Sequence, residues 1–425
     1  MSATLIERQE HAVVIHIRVP LTRSLLDTEH AILQALNDAG RLATTEALHQ
    51  FDTDGSPLQV GNQRYTSKGP EPKTYQTPYG EATVARHVYQ SSQGGATFCP
   101  LERDARIILT ATPRFAQLVS HKYAEMAGAR VVADLEGNHG RKTSLNVVQR
   151  LADAVGSVAQ AKEEQWHYAT PALDEPVRSI SVGLDGTCML LVEDGYRQAM
   201  VGTVSLYDRD GERLHTIYVA ATPEYGKETF YGRLGREITH VQQLYPQARL
   251  TGVADGASDN WEFLGQYTQD SCVDFHHATG YLSGASKAAA PTSFAARAAW
   301  LEEKCHRLKH RRGAAGEILR ELEALSEGEL SEWAREGLAK AVTYFRNQQE
   351  RMDYARRERA CLPIGSGVTE TACKTLVKMR LCRSGAKWRE AGAAVVLSLR
   401  TLSYTEGRWE QFWAKVDRYG YPVEN

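Results

Sequence analysis

Residues 179–187 read Ser-Ile-Ser-Val-Gly-Leu-Asp-Gly-Thr, and residues 249–256 read Arg-Leu-Thr-Gly-Val-Ala-Asp-Gly. In both, a short apolar run of strand character leads into an aspartate followed by glycine, a residue that lets another backbone or a ligand come close. Outward from the first stretch, Met189 to Val192 leads into Glu193-Asp-Gly195, a hairpin turn signal, and strands follow at Met200 to Tyr207 and Leu214 to Ala220. Between that meander and the second stretch lies a helical run, Lys227 to Leu244, stopped before Pro246. After Asp255 a helix is expected over Ser258 to Gln269, and a short strand over Cys272 to Phe275.

Antiparallel strands followed by alternating helix and strand are the order expected of an RNase H-like core, so the chain reads as mixed α/β. Residues 278–360 are almost wholly helical in pattern and highly charged, with both signs interspersed. A further helix begins near Gly365-Ser-Gly367 and carries Glu370, and an apolar helix, Ala391 to Leu402, precedes a tail from 406 to 425. Upstream, Val13 to Val19 is strand-like, Leu25 to Leu48 is helical, and Lys73 to Thr77 and Ala82 to Gln90 form a hairpin through Pro78-Tyr-Gly80-Glu. Thr112 then reads as an N-cap with Pro113 at the first helical position, and Phe115, Leu118, Val119 and Tyr123 recur at helical spacing. A second helix over Ala129 to Glu136, the turn Gly137-Asn-His-Gly140 and a third helix capped by Thr143 or Ser144 complete a helix-turn-helix outline. The expected organisation is therefore an α+β module with a hairpin (1–100), a helix-turn-helix-like region (101–175), the first part of the core (176–277), a helical insertion (278–360), the core's C-terminal helices (361–405) and the tail.

At 425 residues the chain has room for two to four domains and a sizeable core. Its 42% hydrophobic and 24% charged residues exclude wholesale disorder. No apolar run approaches the ~18 residues of a membrane span, and charges at Glu7 and Arg8 argue against a signal peptide, so no membrane association is expected. The seven cysteines form no CxxC pair, which points away from a disulfide framework or zinc ribbon and toward a reducing cytoplasm, with nucleoid association if the chain binds DNA.

A net charge of −2 gives no global sign of nucleic-acid binding, but its distribution does. Between Thr371 and Glu390 stand Lys374, Lys378, Arg380, Arg383, Lys387 and Arg389 against one acid, Glu390. That stretch is either a solvated helix face or a phosphate-contacting one. Arg141, Lys142, Ser144, Asn146, Gln149 and Arg150 lie on and around the start of the third helix, where a helix-turn-helix presents side chains to a DNA groove. A helical hairpin with polar exposed residues would give the same pattern. For chemistry, divalent-metal phosphoryl transfer requires carboxylates from different elements to converge on hard cations. Asp185 and Asp255 suit that need; an acid after a strand is also a common loop starter. Glu370, one turn into its helix, suits it as the third acid or simply complements the helix dipole.

SVGLDGT around Asp185, VADGASDNW around Asp255, Asp274-Phe-His-His277, and LPIGSGVTETACKTLVKMRLCRSGAKW around Glu370 together resemble the bacterial insertion-sequence transposases of the DDE type, ISKra group, related to the Mutator-like branch. The resemblance covers roughly Val177 to Leu402, with a weaker match from Lys73 to Gly156. It implies a catalytic triad of Asp185, Asp255 and Glu370 holding two Mg²⁺ or Mn²⁺ ions, with Asp274 and His277 supporting the site. Lys374, Lys378, Arg380, Arg383 and Lys387 would face the DNA backbone. The implied partners are double-stranded DNA, as terminal inverted repeats and as target, and a second copy of the chain in a homodimer or larger synaptic assembly.

Relatives often carry a cysteine-rich, zinc-ribbon-like segment after the hairpin; here residues 89–100 hold only Cys99, so no zinc site is expected there. Cys272, His276 and His277 lack a fourth zinc ligand at usual spacing, Tyr225-Gly-Lys227 lacks a P-loop's upstream glycine, and Gly365-Ser-Gly367 does not fit the nucleophile elbow. Two rivals remain: an RNase H-fold nuclease that cuts DNA without joining it, and a domesticated or inactive transposase kept as a DNA-binding protein.

Overall fold

The computed structural model describes residues 2–420 apart from Ser92, Glu164 and Tyr225, so the last five residues of the expected tail and the start of Tyr225-Gly-Lys227 fall outside the described residues. The chain is mixed α/β and divides into two compact units. The first comprises residues 1–169, 394–403 and 407–425, the second residues 170–393 and 404–406. No described helix is long and apolar enough to cross a membrane.

The first unit opens with an antiparallel pair, β1 (Ala3–Arg8) and β2 (Val13–Ile17), on helix α1 (Leu25–His49). An antiparallel sheet follows, β3 (Leu58–Val60), β4 (Gln63–Thr77), β5 (Gly80–Ser91) and β6 (Thr97–Phe98). The β4–β5 hairpin reaches back to Gln63, well beyond the expected Lys73. Its turn is fixed by Thr77, whose hydroxyl accepts from the Tyr79 amide and donates to the Gly80 carbonyl, and by Gly80 at φ +138°. Four helices come next: α2 (Pro100–Asp104), α3 (Pro113–Glu125), α4 (Gly128–His139) and α5 (Leu145–Glu163). Phe115, Val119, Val131, Leu135, Val148, Leu151 and Val155 bury the expected stripes. Helix α4 runs on through Gly137 and stops at Gly140, whose φ of +60° supplies the left-handed C-cap.

The second unit is built on a five-stranded sheet of β7 (Ser179–Leu191), β8 (Gly195–Tyr207), β9 (Arg213–Ala221), β10 (Arg249–Ala254) and β11 (Asp270–Val273) in the order β11-β10-β7-β8-β9. Strands β7, β8 and β9 are antiparallel; β10 runs parallel to β7 and β11 parallel to β10. Strand β7 does not end at Asp185 as expected. It pairs with β8 from Ser179↔Tyr207 to Leu191↔Gly195, so Asp185 sits in mid-strand opposite Val201, whereas pairing with β10 on the other side stops at Gly183↔Val253.

Side chains alternate between the two faces of a strand. Ile180, Val182 and Leu184 join Val204, Leu206, Ile217 and Val219 in a core closed by Phe230, Leu234, Ile238 and Val241 of α6 (Glu228–Leu244). Each such buried side chain contributes about 1.5–3 kcal/mol. Gly183 and Asp185 therefore face away from α6.

Helix α7 (Ser258–Leu264) ends sooner than the expected Gln269. Strand β11 also stops earlier than expected, because Asp274 turns inward to cap α8 (Phe275–Ala289) by accepting from the His277 amide. The helical stretch continues as α9 (Phe294–His310), α10 (Ala314–Leu325), α11 (Glu332–Gln348) and α12 (Tyr354–Arg359). Helices α8 and α11 approach backbone to backbone: a Cβ on Gly337 would lie 2.7 Å from the Gly284 carbonyl oxygen. Helix α13 (Gly367–Ala372) then runs into a π-helical stretch, Cys373–Lys378, and α14 (Met379–Leu381).

The chain ends in α15 (Glu390–Tyr404) and α16 (Arg408–Tyr419). The second of these corrects the expectation of a tail from 406. Trp409, Phe412, Trp413 and Val416 stand at i, i+3, i+4 and i+7 and are all buried, so the segment has an apolar helical stripe to bury.

Candidate active site

Asp185 and Asp255 reach one place because their strands are parallel neighbours: two residues past the last β7–β10 pair, each chain arrives at an aspartate. The face of β7 that carries Asp185 is covered by α13. Gly183 makes this possible, since a Cβ there would lie 2.1 Å from Thr369 Oγ1, and the Thr369 hydroxyl meets that of Thr203 at 2.7 Å. This close packing brings Glu370, the next residue, toward Asp185. Burial, with smaller contributions from Asp255 and then Glu370, raises the Asp185 carboxyl above its ordinary value, against lowering by the Gly186 amide. Three like charges have thus been drawn together from three distant parts of the chain.

The loop after β10 is held from the helical stretch. Tyr344 Oη donates to the Asp255 carbonyl at 2.8 Å, and Gln348 Nε2 to the Gly256 carbonyl at 3.0 Å. Asn260 Nδ2 and the Ala257 amide donate to Asp255 Oδ1 at 3.3 and 3.2 Å. Gly256 is required by its φ of +116°.

Asp274 plays a different part. Its side chain is fully buried, and both oxygens are saturated: Oδ1 accepts from the His277 amide at 2.6 Å and from Nδ1 at 3.1 Å, Oδ2 from the Ser366 amide at 2.6 Å and from its hydroxyl at 3.0 Å. Burial alone would raise this carboxyl, but these hydrogen bonds outweigh it and hold it down to about 2. The bond to Asp274 raises His277 in turn and assigns the proton to Nδ1, while Nδ1 also lies 3.7 Å from Glu370 Oε1. Ser366 Oγ lies 2.9 Å from the same Glu370 oxygen. Asp274, Ser366 and His277 therefore act as a strut between the end of β11 and the helix that carries Glu370.

A cavity of about 730 Å³ is lined by Asp185, His277, Glu370, Thr371, Cys373, Lys374, Lys378 and Met379. Cys373 is buried; burial first and the Asp185 charge second raise its thiol, which donates to Asp185 Oδ2 at 3.6 Å. Lys374 and Lys378 are exposed and flank the carboxylates, so the cavity has an acidic floor and a basic wall. The π-helical turn lies within this wall, a feature frequent at functional sites.

The other expected DNA-facing residues divide by burial. Arg383 and Lys387 are exposed. Arg380 is not: it is 4% exposed, with its guanidinium over the Trp388 ring at 4.9 Å. In the first unit Lys142, Ser144, Asn146, Gln149 and Arg150 are exposed at the start of α5. Arg141 is corrected as well: it is 4% exposed, donates to the Thr77 carbonyl at 2.9 Å, to the Lys142 carbonyl and to Gln76, and covers the Phe115 ring. Its charge is spent on two backbone carbonyls and the Gln76 side chain, so it ties α5's approach to the β4–β5 turn.

Among the described residues, one group of donors lies close enough together to hold a metal as it stands. Asp274, His277 and Glu370 have ligand atoms within 4.8 Å of one another. A carboxylate offers about four lone-pair positions, and Asp274 has three N–H donors on it and shares the single Ser366 hydroxyl proton with Glu370, which leaves it little room for an ion. Among the described residues, Asp255 Oδ2 and Glu370 Oε2 receive no hydrogen bond, and Asp185 Oδ2 receives only a weak thiol donor. Open carboxylate oxygens are the kind of ligand that a hard cation takes. No protein-family model and no curated protein matches the chain.

Ser366, Tyr344, Gln348, Asn260 and Cys373 were not singled out from the sequence. Only Ser366 had a local signal, its place between two glycines at the start of the Glu370 helix.

Proposed function

We propose that the chain is a DDE-type DNA transposase of the insertion-sequence kind, with Asp185, Asp255 and Glu370 as its metal-binding carboxylates. The observation that carries this reading is the meeting of Asp185 of β7 and Glu370 of α13 on one cavity walled by Lys374 and Lys378, with Asp255, past the end of the neighbouring β10, close enough to act on the Asp185 charge. An acidic floor suits divalent cations and a basic wall suits a phosphodiester, and a site for metal-assisted phosphoryl transfer needs both. The sheet order supports an RNase H-like core, since three antiparallel strands are followed by two parallel ones on the other side of β7. Helices α8 to α12 then form an insertion between β11 and the glutamate helix.

In this reading Asp185, Asp255 and Glu370 would hold Mg²⁺ or Mn²⁺, which when bound would supply the Lewis acidity that phosphoryl transfer needs. Lys374 and Lys378 neutralise the DNA backbone beside the scissile bond, independently of sequence. His277, with its Nδ1–H held on Asp274, donates from Nε2 to a phosphate oxygen in its protonated form, the form that the neighbouring carboxylates favour. Lys142, Ser144, Asn146, Gln149 and Arg150 at the start of α5 supply sequence-reading contacts to the element's ends. Two ends must be joined to one target, so a homodimer or larger assembly belongs to the same proposal.

The test is incubation of the full chain with duplex DNA carrying the sequences that flank its gene, in Mg²⁺, with wild type beside Asp185→Ala. Cleavage and strand joining by wild type alone is the expected outcome. Cleavage without joining would make the protein a nuclease, and equal cleavage by both would remove the triad.

A further inference from the structure

A second cavity, about 410 Å³, adjoins Glu370 and is lined by His276, His277, Gly280, Tyr281 and Glu370. It shares His277 and Glu370 with the catalytic cavity, and the remaining residues come from the first two turns of α8. Tyr281 is half-buried, with one face stacked on Tyr344 at a centroid distance of 4.0 Å and an interplanar angle of 20°. Gly280 meets nothing within 4 Å of where a Cβ would stand, so it leaves the space open.

Resting on the proposed DNA-cleaving site, we infer that this cavity is a nucleobase subsite: the base of a nucleotide adjoining the scissile phosphate leaves the DNA stack and lies on Tyr281. The argument is one of shape and continuity. A phosphodiester in the catalytic cavity carries nucleosides on both sides, and a strand that passes Glu370 enters the second cavity next. What it meets there is an aromatic ring already stiffened by a second ring, beside two imidazoles that can hydrogen-bond base edges. An aromatic platform serves any base, because every base has a π-face. Unstacking costs a few kcal/mol in duplex DNA and less at a nicked or frayed end, so capture favours DNA already opened at the cleavage point. The platform also bears on the chemistry: Tyr344, beneath Tyr281, is the residue whose hydroxyl holds the Asp255 carbonyl. A base seated on Tyr281 presses on the residue that positions a catalytic carboxylate, which links substrate capture to the assembly of the site.

The experiment measures cleavage kinetics of the full chain on flanking-end duplexes in Mg²⁺, for wild type, Tyr281→Phe, Tyr281→Ala and Gly280→Leu. Gly280→Leu fills the cavity from a helical position with open space, and it stands in if Tyr281→Ala fails to fold. Each protein is assayed on intact DNA and on DNA with a single abasic site at successive positions around the cleaved bond. Tyr281→Ala and Gly280→Leu are expected to lower kcat/KM about 10- to 100-fold on intact DNA, with Tyr281→Phe close to wild type. At one position the abasic substitution should erase the difference between the variants and wild type, which loss of structure alone would not do. 2-Aminopurine at that position should change fluorescence on binding wild type and not on binding Tyr281→Ala. If wild type cleaves and the penalty persists at every abasic position, the subsite is overturned while the cleavage reading stands. If wild type cleaves no flanking-end DNA, both fall together.

Discussion

Asp185 and Asp274 are both aspartates that meet the segment carrying Glu370 from one sheet, and the protein treats them oppositely. Asp274, at the end of β11, is sealed from solvent and receives three N–H hydrogen bonds and a shared hydroxyl, so it is held ionised below the ordinary range. Asp185, in the middle of β7, is partly buried beside Asp255 and Glu370 and receives one backbone amide and one thiol, so it is pushed up. Burial is common to both; the donors decide the outcome. A carboxylate saturated by the protein is structure, and one left short of donors among like charges is poised for a cation. The same contrast separates the arginines, since Arg141 and Arg380 are buried while Arg150 and Arg383 are exposed.

Several measurements can break or sharpen this contrast. The largest effect belongs to catalysis: Asp185→Ala and Glu370→Gln should bring strand cleavage to background while DNA affinity in a gel-shift titration stays within about threefold, because phosphate contacts supply most of the affinity. Next in size, Asp274→Asn replaces an acceptor facing three N–H donors and a shared hydroxyl with a group that is itself half donor. It should cost about 3 kcal/mol in a denaturant titration, whereas Asp185→Asn, which relieves like-charge repulsion, should be neutral or stabilising by about 1 kcal/mol. Without that asymmetry the distinction between strut and ligand is lost.

The acid limb of stability follows from the same pair. The Asp274 pKa is lowered on folding, so the folded state binds fewer protons there; its contribution is complete above about pH 4 and is lost as the pH falls through about 2. That contribution is about 2 kcal/mol, and a urea midpoint series against pH should show it in wild type and not in Asp274→Asn. The smallest effect is electrostatic: Lys374→Ala and Lys378→Ala should each reduce the slope of log affinity against log salt by about 1. Arg380→Ala should lower thermal stability instead, with the slope unchanged.

Much of the second unit was legible because its signals are local. The alternating runs around Asp185 and Asp255, the Glu-Asp-Gly turn and the helix stop before Pro246 each depend on neighbours in sequence, and the sheet's strands follow them closely. The strand ends were read less well. β7 runs through Asp185 because β8 pairs along its whole length, and ladder length is set by the partner strand. Arg141 and Arg380 carry charge patterns like those of their exposed neighbours; only tertiary packing places one against the Thr77 carbonyl and the other over Trp388. The strut between Asp274 and Ser366 joins residues far apart in the chain, so no spacing announces it. Helix α16, by contrast, could have been read from the spacing of Trp409, Phe412, Trp413 and Val416.

The most direct test of the central claim is Mn²⁺ binding by the full chain without DNA, followed by electron paramagnetic resonance, for wild type, Asp185→Asn, Glu370→Gln and Asp274→Asn. Wild type is expected to bind the ion, Asp185→Asn and Glu370→Gln to lose most of that binding, and Asp274→Asn to keep it in the fraction that remains folded. Unchanged binding by Asp185→Asn together with loss in folded Asp274→Asn would put the ion on Asp274, His277 and Glu370 and contradict the carboxylate triad.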